Sequence, residues 1–407
     1  MKPKILYISY DGMLEPLGQS QVLAYLEKLA ADYEIRLISF EKKLDWMNAP
    51  RRRGVEVRIA AAGIHWLPLR YHKSPSGPAT VFDIVAGTLA ALYLVARHRI
   101  VVIHARSYVA AQMALTVKRL TGVRFLFDMR GFWADERVDA GIWPRGGRLY
   151  RLSKRLERSF LLRADHVVTL TAAAEAEITN FSYLADHAPP ITVIPTCANL
   201  DRFSPRSTDR EDAPTLGFVG TATSWSLVEQ LLAFYRLLLK RIPGARLLIV
   251  NRDDHDYIRA CIAEAEVDAR GIELVRAEHG EVPALIARMT IGTALKRPSY
   301  SQLACAPTKL AEYLGCGVPV VANAGIGDVA GILEGEGVGI VLRGFADHDL
   351  KAGVDSLCKL LENDRLAERC RSAAQRLFSL EAGVGSYANI YRTLTSANAA
   401  AAREVWS

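Results

Sequence analysis

The residues with the most specific chemical pattern follow one another between Ala306 and Asn323. This stretch predicts a loop, a short helix with one apolar face, a tight turn and a buried strand. Proline suits the first helical turn, because the N–H that it lacks would have no partner there. The residues that mark these steps are, in order, Pro307, then Leu310, Tyr313 and Leu314, then Gly315 and Gly317, and finally 318–322.

The start of this helix is suited to bind a phosphate. Its first N–H groups have no helical partner and lie at the positive end of the helix dipole. Thr308 adds a hydroxyl group and Lys309 adds a cation, while Glu312 lies one turn further on, where it can accept hydrogen bonds from a sugar diol. Together these residues predict a pocket for a diphosphate that carries a ribose.

A second polar cluster follows a predicted strand at 124–128, at the carboxyl edge where doubly wound sheets bind ligands. Carboxylates in this position can accept hydrogen bonds from sugar hydroxyls, and aromatic rings offer stacking faces. The alternative is a structural loop held by salt bridges, with a packed histidine. The residues that we assign to the binding of an acceptor are His104, Arg106, Asp128, Arg130, Trp133 and Asp135.

Asp253 and Asp254 adjoin in a short run, 252–256, that invites a metal interpretation, because paired aspartates bind Mg²⁺ or Mn²⁺. The run lies between a predicted strand and a predicted helix. We adopt the interpretation that one of the two aspartates caps the helix. The sequence therefore predicts no metal site.

The stretch at 306–323 resembles the donor-binding element of glycosyltransferase family 4, the retaining sugar transferases of the GT-B fold. Other stretches resemble the same family in its order and spacing: the first strand and glycine loop (4–9 and 16–21), the domain junction (193–205) and the first strand of the second domain (216–220). The resemblance covers nearly the whole chain. It implies an α/β fold of two Rossmann-like, doubly wound domains that face a cleft.

The resemblance also implies a reaction and its participants. The second domain would hold a nucleoside-diphosphate sugar and the first would hold an acceptor, a glycan or a lipid-linked molecule. The sugar would be transferred with retention at the anomeric carbon, without a bound metal or other cofactor. The residues in the donor role are Gly18, Gly220, Thr221, Lys296, Arg297, Pro307, Thr308, Lys309 and Glu312. We assign catalysis to Asp128, Arg130, Lys296 and Glu312.

The chain departs from the family pattern at two places. Ala304 stands where members often carry a second glutamate, so the usual contact to the donor sugar is missing. No cation follows closely after Gly220, where many relatives hold the departing diphosphate with a basic pair. Lys296 and Arg297 then meet the diphosphate or an acidic sugar, unless they form a solvated pair, because leaving-group stabilisation is what such an enzyme needs most.

The 407 residues are too many for one ordinary core. Strand and helix patterns alternate from the start, as in a parallel doubly wound sheet, and one strand is predicted at 55–60. We predict an N-terminal domain at 1–203, a C-terminal domain at 204–380 and a final helix at 381–407 that crosses back to the first domain. The polar stretch 204–214 is the predicted linker.

Charge is unevenly distributed along the chain. Residues 1–200 contain 27 Lys/Arg and 18 Asp/Glu, a net charge of +9, whereas the remainder contains 24 and 26, a net charge of −2. A basic first half predicts an anionic partner. Basic and aromatic residues do not interleave as they do in nucleic-acid readers, so we expect a membrane surface rather than a nucleic acid. The six cysteines form no paired spacing, which favours a reducing compartment, so we expect a cytoplasmic protein at the inner face of the membrane.

Two predicted helices bear on that membrane surface. The helix at 148–163 carries six basic residues and fits either an anionic lipid surface or a core helix with a basic solvent face. The apolar run 84–96 is too short to span a bilayer and carries a helical stripe, so it predicts an amphipathic or buried helix. The stripe consists of Val81, Val85, Leu89, Leu92 and Ala96.

Two alternatives to a transferase remain open at this point. A nucleotide-sugar 2-epimerase shares the fold but needs a cluster of acids and a histidine at the sugar ring, which the sequence does not place. A non-catalytic subunit that binds a nucleotide sugar or a glycan fits the departures at Ala304 and after Gly220. Release of a nucleoside diphosphate from the donor separates a transferase from a pure binder.

Overall fold

Two compact units make up the chain in the computed structural model, which describes residues 2–205, 213–278 and 280–404. The first unit comprises Met1–Ile194 together with Leu380–Ser407, and the second comprises Pro195–Ser379. Each unit is built around its own parallel sheet.

The sheet of the first unit has seven parallel strands in the order β3-β2-β1-β4-β5-β6-β7. The order reverses between β1 and β4, which makes their carboxyl ends the switch point where such sheets bind ligands. The strands are β1 (Lys4–Ser9), β2 (Glu34–Glu41), β3 (His65–Arg70), β4 (Val102–Arg106), β5 (Arg124–Asp128), β6 (His166–Thr169) and β7 (Ile191–Val193).

Helices connect these strands as right-handed crossovers require. They are α1 (Pro16–Gly18), α2 (Ala24–Leu29), α3 (Lys43–Met47), α4 (Ala49–Ala61), α5 (Ser76–His98), α6 (Ser107–Thr121), α7 (Trp133–Asp139), α8 (Arg148–Arg163) and α9 (Ala172–Thr179). A π-helical turn, Gln19–Leu23, joins α1 to α2. The helix at the end of the chain, α17 (Leu380–Glu404), packs against α2.

The second unit repeats this plan with six parallel strands in the order β10-β9-β8-β11-β12-β13, so that its switch point lies between β8 and β11. Its strands are β8 (Thr215–Val219), β9 (Arg246–Val250), β10 (Ile272–Val275), β11 (Ile291–Ala294), β12 (Val320–Asn323) and β13 (Gly339–Leu342). Its helices are α10 (Val228–Arg241), α11 (His255–Glu264), α12 (Val282–Ile286), α13 (Thr308–Gly315), α14 (Val329–Glu336), α15 (Asp347–Leu361) and α16 (Leu366–Phe378).

The units divide after Ile194, nine residues before the predicted boundary at 203. The segment that follows Ile194 packs within the second unit, because the Arg371 guanidinium donates hydrogen bonds to the carbonyl oxygens of Leu200, Phe203 and Gly315. The final helix contacts the first unit, where the Tyr33 hydroxyl donates to the carbonyl oxygen of Ala388 at 3.0 Å. Most of the predicted linker, 206–212, lies outside the described residues.

The strand predicted at 55–60 is wrong, because these residues lie within α4. Val55 and Ile59 are four residues apart and both buried, whereas Val57 is 62 % exposed. The buried pair thus has the four-residue spacing of a helix face, and the alternation of apolar residues does not indicate a strand here. The third strand is β3, at the edge of the sheet, where Pro68 is tolerated because an edge strand need not donate from every N–H.

Candidate functional site

The start of α13 lies beside the switch point of the second sheet. Tyr313, on the inner face of α13, is fully buried and its hydroxyl oxygen accepts a hydrogen bond from the N–H of Val219, the last residue of β8. Its ring lies on Gly292 of β11, where an added Cβ would come within 2.5 Å of a ring carbon. This tyrosine and this glycine therefore hold α13 against β8 and β11.

Lys309 points from α13 toward the end of β8. Its ammonium lies 4.1 Å from the centroid of the Phe218 ring. A Cβ added at Gly220, whose φ of +112° suits glycine, would lie 3.6 Å from Lys309 Nζ. Gly220 thus leaves room beside the ammonium, and the donor role that we assigned to it stays a prediction.

Lys296 supplies a second cation at this edge. It follows β11, and its Nζ lies 3.0 Å from the Cys305 sulfur. Asn323, at the end of β12, holds its backbone in place by accepting a hydrogen bond from the Lys296 N–H at 2.8 Å. Positive charge on Lys296 also lowers the pKa of Lys309, so the two ammonium groups lie within electrostatic reach of each other.

Lys309 and Glu312 have unusual proton affinities. Burial lowers the pKa of Lys309 to about 7, and Lys296 adds to the effect while Glu312 opposes it. Burial raises the pKa of Glu312 to about 7, against the attraction of Lys309 and Arg202. Glu312 is 7 % exposed, and its carboxylate accepts no hydrogen bond within the described part of the chain. A ligand that brings anionic oxygens to Lys309 and hydroxyls to Glu312 would satisfy both groups.

The other residues predicted for the donor are less deeply placed. Pro307 is the N-cap of α13 rather than its first helical residue, and Thr308 begins the helix. Arg297 is exposed, and its N–H donates to the carbonyl oxygen of Trp225 at 2.8 Å. Thr221 is exposed, and its carbonyl oxygen accepts from the Ser226 hydroxyl at 2.6 Å.

Asp254 organises the loop after β8. It occupies the N-cap position of α11 without bonding to that helix. Its carboxylate instead accepts from the Ala222 N–H at 2.8 Å and from the Asn251 side-chain amide at 3.1 Å, which lowers its pKa against the effect of burial. In the described ranges, no group of three or more His, Cys, Asp and Glu side chains is arranged to hold a metal ion.

In the first unit, the structure brings together four of the six residues that we assigned to an acceptor. Asp128 lies at the carboxyl end of β5 and is 1 % exposed. His104 Nε2 lies 3.5 Å from one of its oxygens, Arg106 Nη1 lies 3.8 Å from the same oxygen, and Arg130 Nη1 lies 3.8 Å from the other. Arg130 has a φ of +62°, a conformation that is costly for a side chain of this size and common at functional sites.

Two tyrosines of α17 complete this cluster, and the sequence analysis did not identify them. The Tyr387 hydroxyl donates to Asp128 at 3.1 Å, and the Tyr391 hydroxyl lies 2.7 Å from His104 Nδ1. They are four residues apart on one helix face, but no feature of the sequence connects that face to β5. With Tyr7 of β1, whose ring centroid is 4.3 Å from that of His104, they enclose the imidazole.

Charge in this cluster is finely balanced. Burial lowers the pKa of His104 against the effect of Asp128, which favours the neutral imidazole. Burial alone would raise the pKa of Asp128, but Arg130, His104 and Arg106 together hold it below its usual value. Within the described residues, Asp128 Oδ1 and Arg106 Nη1 are buried without a hydrogen-bond partner. A hydroxyl group could donate to the first and accept from the second. His104 is 1 % exposed and does not reach the surface.

Three predicted residues lie elsewhere in the first unit. The Asp135 carboxylate accepts from Tyr150 and Lys154 of α8, both at 2.9 Å, and so joins α7 to α8. Trp133 packs edge to face against Trp143. Gly18 is buried, and an added Cβ would lie 2.0 Å from the carbonyl oxygen of Gly12, so close packing alone requires a glycine there. The roles that we predicted for these residues stay predictions.

Comparison with protein families identifies both halves of the chain. Residues 18–197 match the family model described as glycosyl transferase 4-like domain. Residues 201–377 match the model described as glycosyl transferases group 1. No curated protein matches the chain. The two families occur in tandem on two parallel-sheet domains, which confirms the predicted GT-B fold of two Rossmann-like units.

Solved structures share this fold at low sequence identity. Sucrose-phosphate synthase from Thermosynechococcus elongatus has a TM-score of 0.75 at 17 % identity, covering 97 % of this chain and all of that one. Anabaena HepE in complex with UDP-glucose has a TM-score of 0.67 at 12 % identity, with coverages of 96 % and 99 %. A protein from Listeria monocytogenes described as a UDP-N-acetylglucosamine 2-epimerase has a TM-score of 0.63 at 12 % identity, with coverages of 97 % and 98 %.

Proposed function

We propose that this chain, a glycosyltransferase of the GT-B type, transfers a sugar from a nucleoside-diphosphate sugar to a glycan or lipid-linked acceptor with retention of anomeric configuration. One observation carries the proposal. Lys309 lies beside Gly220 and within electrostatic reach of Lys296. Glu312 lies one turn further along α13, and its carboxylate accepts no hydrogen bond among the described residues. The proposal places the protein in the cytoplasm, peripheral at the membrane.

The donor is proposed to bind along α13. Two lysines offset the two negative charges of a diphosphate, and the free N–H groups at the start of the helix add hydrogen bonds. Glu312 accepts from the ribose hydroxyls. Because HepE, of the same fold, forms a complex with UDP-glucose, uridine is the first base to test.

The reaction is proposed to need no dedicated side-chain base. The bond between the anomeric carbon and the phosphate oxygen breaks while the acceptor oxygen bonds to the same face of the sugar. The departing phosphate oxygen takes the acceptor proton, and Lys296 and Lys309 stabilise the charge that develops there. Asp128 and Arg130 are proposed to orient the acceptor hydroxyl.

A calorimetric titration with UDP, GDP and ADP tests the donor site. We expect Glu312→Ala to weaken the tightest of these ligands by about 10-fold to 150-fold, because a hydrogen bond to a charged group contributes about 1.5–3 kcal/mol. Glu264→Ala removes an exposed glutamate from α11 of the same unit and should leave affinity unchanged. Equal affinity of the Glu312→Ala variant and the wild type would exclude the ribose role.

The products separate transfer from the alternatives. A transferase releases nucleoside diphosphate from the donor. The release is slow when water takes the sugar and faster when an acceptor is present. The Listeria protein shares this fold, so the 2-epimerase alternative is tested as well; it predicts an epimeric nucleotide sugar as the product. A pure binder predicts neither product. Detection of the epimer, or of binding without any release, would overturn the proposed transfer.

A further inference from the structure

Helix α5 turns its larger apolar side chains toward solvent. The exposed positions recur at helical spacing on one side of the helix, so they form a single apolar stripe about 18 Å long. Isolated exposed apolar residues are ordinary, but a contiguous row marks an interaction surface. We call this row the α5 stripe; it consists of Val81, Phe82, Val85, Leu89 and Tyr93, each between 52 % and 64 % exposed.

The opposite face of α5 is fixed within the first unit by close packing of small residues. A Cβ added at Gly87 would lie 2.5 Å from the Met113 sulfur of α6. Asp83 is fully buried and accepts from the Tyr10 hydroxyl at 2.9 Å and from the His72 N–H at 3.0 Å. The inner face is therefore satisfied, and the stripe is the outer face of a docked helix.

The apolar run 84–96 is shorter than a membrane span, but the helix that contains it, α5, is longer. Within the described residues, α5 is the one helix long and apolar enough to cross a membrane by length and composition. Its contacts point to a different arrangement. A spanning helix would have to withdraw Asp83 from its hydrogen bonds and expose it to hydrocarbon, which is costly. Because the inner face of α5 packs within the first unit, only the α5 stripe can contact a bilayer.

The exposed charges of the helix layer that contains the stripe, α5, α6 and α8, are of one sign. Helix α6 packs between α5 and α8, so the three form one layer. Together they contain two carboxylates, Asp83 and Glu157, and both are fully buried. The exposed cations of α8 flank two further exposed leucines, Leu149 and Leu152. These cations are Arg148, Arg151, Arg155, Arg158 and Arg163.

We propose that α5 and α8 dock the first unit on an anionic membrane surface. The α5 stripe enters the boundary between headgroups and acyl chains, and the α8 arginines contact lipid phosphates. The complementarity of charge selects this occupant. A second copy of the chain would bring two cationic layers into contact, which is unfavourable. A bilayer rich in anionic lipid instead supplies both negative charge for the arginines and an apolar interior for the stripe.

Lys154 does not belong to this cationic surface, although it lies on α8. Its ammonium pairs with Asp135 at 2.9 Å and with Glu157. Replacing it would leave two buried carboxylates without their cation and would destabilise the fold. The α8 arginines are therefore the residues with which to test the charge of the surface.

Co-sedimentation with lipid vesicles tests the proposal. The wild type should bind vesicles that contain phosphatidylglycerol, bind pure phosphatidylcholine weakly, and dissociate as salt is raised, because the Debye length is about 8 Å at physiological salt. Leu89→Glu should lower binding to the anionic vesicles by about tenfold or more, since it places a carboxylate in the stripe. A double variant, Arg151→Gln with Arg155→Gln, should weaken binding to anionic vesicles alone.

Val57→Glu is the matched control. Val57 and Leu89 are both 62 % exposed on helices of the first unit, and both substitutions add one negative charge. Val57 lies on α4, away from the α5–α6–α8 layer. The next residue, Arg58, pairs with Glu27 of α2. Equal vesicle binding by Leu89→Glu and the wild type, or an equal loss in Val57→Glu, would overturn the proposal.

Two further measurements keep the outcomes distinct. A wild-type dimer that Leu89→Glu converts to a monomer in sedimentation velocity would overturn the proposal in favour of a second copy. Thermal unfolding should show that Leu89→Glu remains folded; if it does not, Phe82→Ser provides the same test. Titration with a nucleoside diphosphate reports on the second unit, so failure of the proposed transfer would leave the vesicle result standing.

Discussion

Lys309 should make donor binding depend on pH, with a sign that its surroundings fix. Burial and the nearby Lys296 lower its pKa to about 7 in the protein without ligand. A diphosphate beside the ammonium favours the charged form, so binding raises this pKa. A group whose pKa rises on binding contributes fully to the ligand affinity at pH values below the pKa that the group has in the free protein. That contribution is lost as the pH rises above about 7, until the pKa of the complex is reached.

The size of the effect follows from the charged fraction of Lys309. That fraction falls from one half at pH 7 to about one hundredth at pH 9, so affinity should fall by about 50-fold, or about 2.3 kcal/mol. Glu312 acts in the opposite direction. Its pKa is raised to about 7, and ribose hydroxyls bind its carboxylate, so affinity should also fall below about pH 7. The two residues together predict maximal affinity near neutral pH.

Calorimetric titration of the donor in buffers of different ionisation enthalpy measures both the affinity and the protons exchanged. The wild type should take up close to one proton on binding at about pH 8. Lys309→Met should lose this uptake and the decline above neutral pH, while any titration of the nucleotide itself remains. Lys240→Met removes an exposed lysine from the far end of α10 and should behave as the wild type. A wild-type affinity that is constant between pH 7 and 9, or an unchanged decline in Lys309→Met, would refute the reasoning.

Two other predictions concern the support of the site and its chemistry. Gly292→Ala should lower both the thermal midpoint and the nucleotide affinity, because the added Cβ would lie 2.5 Å from the Tyr313 ring. The control, Gly331→Ala in α14, places its Cβ where nothing lies within 4 Å and should stabilise the fold by about 0.5–1 kcal/mol. An equal response of the two variants in calorimetry would argue against positioning by Tyr313. Donor turnover should be equal in EDTA and in Mg²⁺, because the Asp254 carboxylate is engaged by Ala222 and Asn251; loss of turnover on chelation with recovery in Mn²⁺ would contradict this.

The donor half of the site could be predicted from the sequence because its parts are close together in the chain. Pro307, Lys309 and Glu312 lie within a single turn and a half at the start of one helix, and helical geometry alone brings them close together. The sheet edge adds Lys296, which follows β11, and Gly220, which follows β8. Both could be predicted because parallel strands that neighbour the switch point end at the same edge.

The cluster in the first unit could be predicted only in part. His104, Arg106 and Asp128 end two adjacent strands, and the topology brings them together. The hydroxyl of Tyr387 comes from a helix that follows the entire second unit in the chain. No local pattern can locate such a contact, since it depends on where the last helix packs. The contact of Asp135 with Lys154 of α8 also joins residues that are distant in the sequence, so no local pattern predicts it.

The α5 stripe shows why periodicity alone does not assign a helix face. The positions that make its most apolar stripe, among them Val81, Val85 and Leu89, predict an amphipathic or buried helix, and the structure exposes them. The inward side carries Gly87 instead, because α5 approaches Met113 so closely that a larger side chain does not fit. Periodicity establishes that a helix has two faces, and the close approach of its neighbours decides which face is inward. A second property of the sequence does distinguish the cases: α5, α6 and α8 contain two carboxylates in all, whereas the outer side of a solvent-facing layer ordinarily carries both signs of charge.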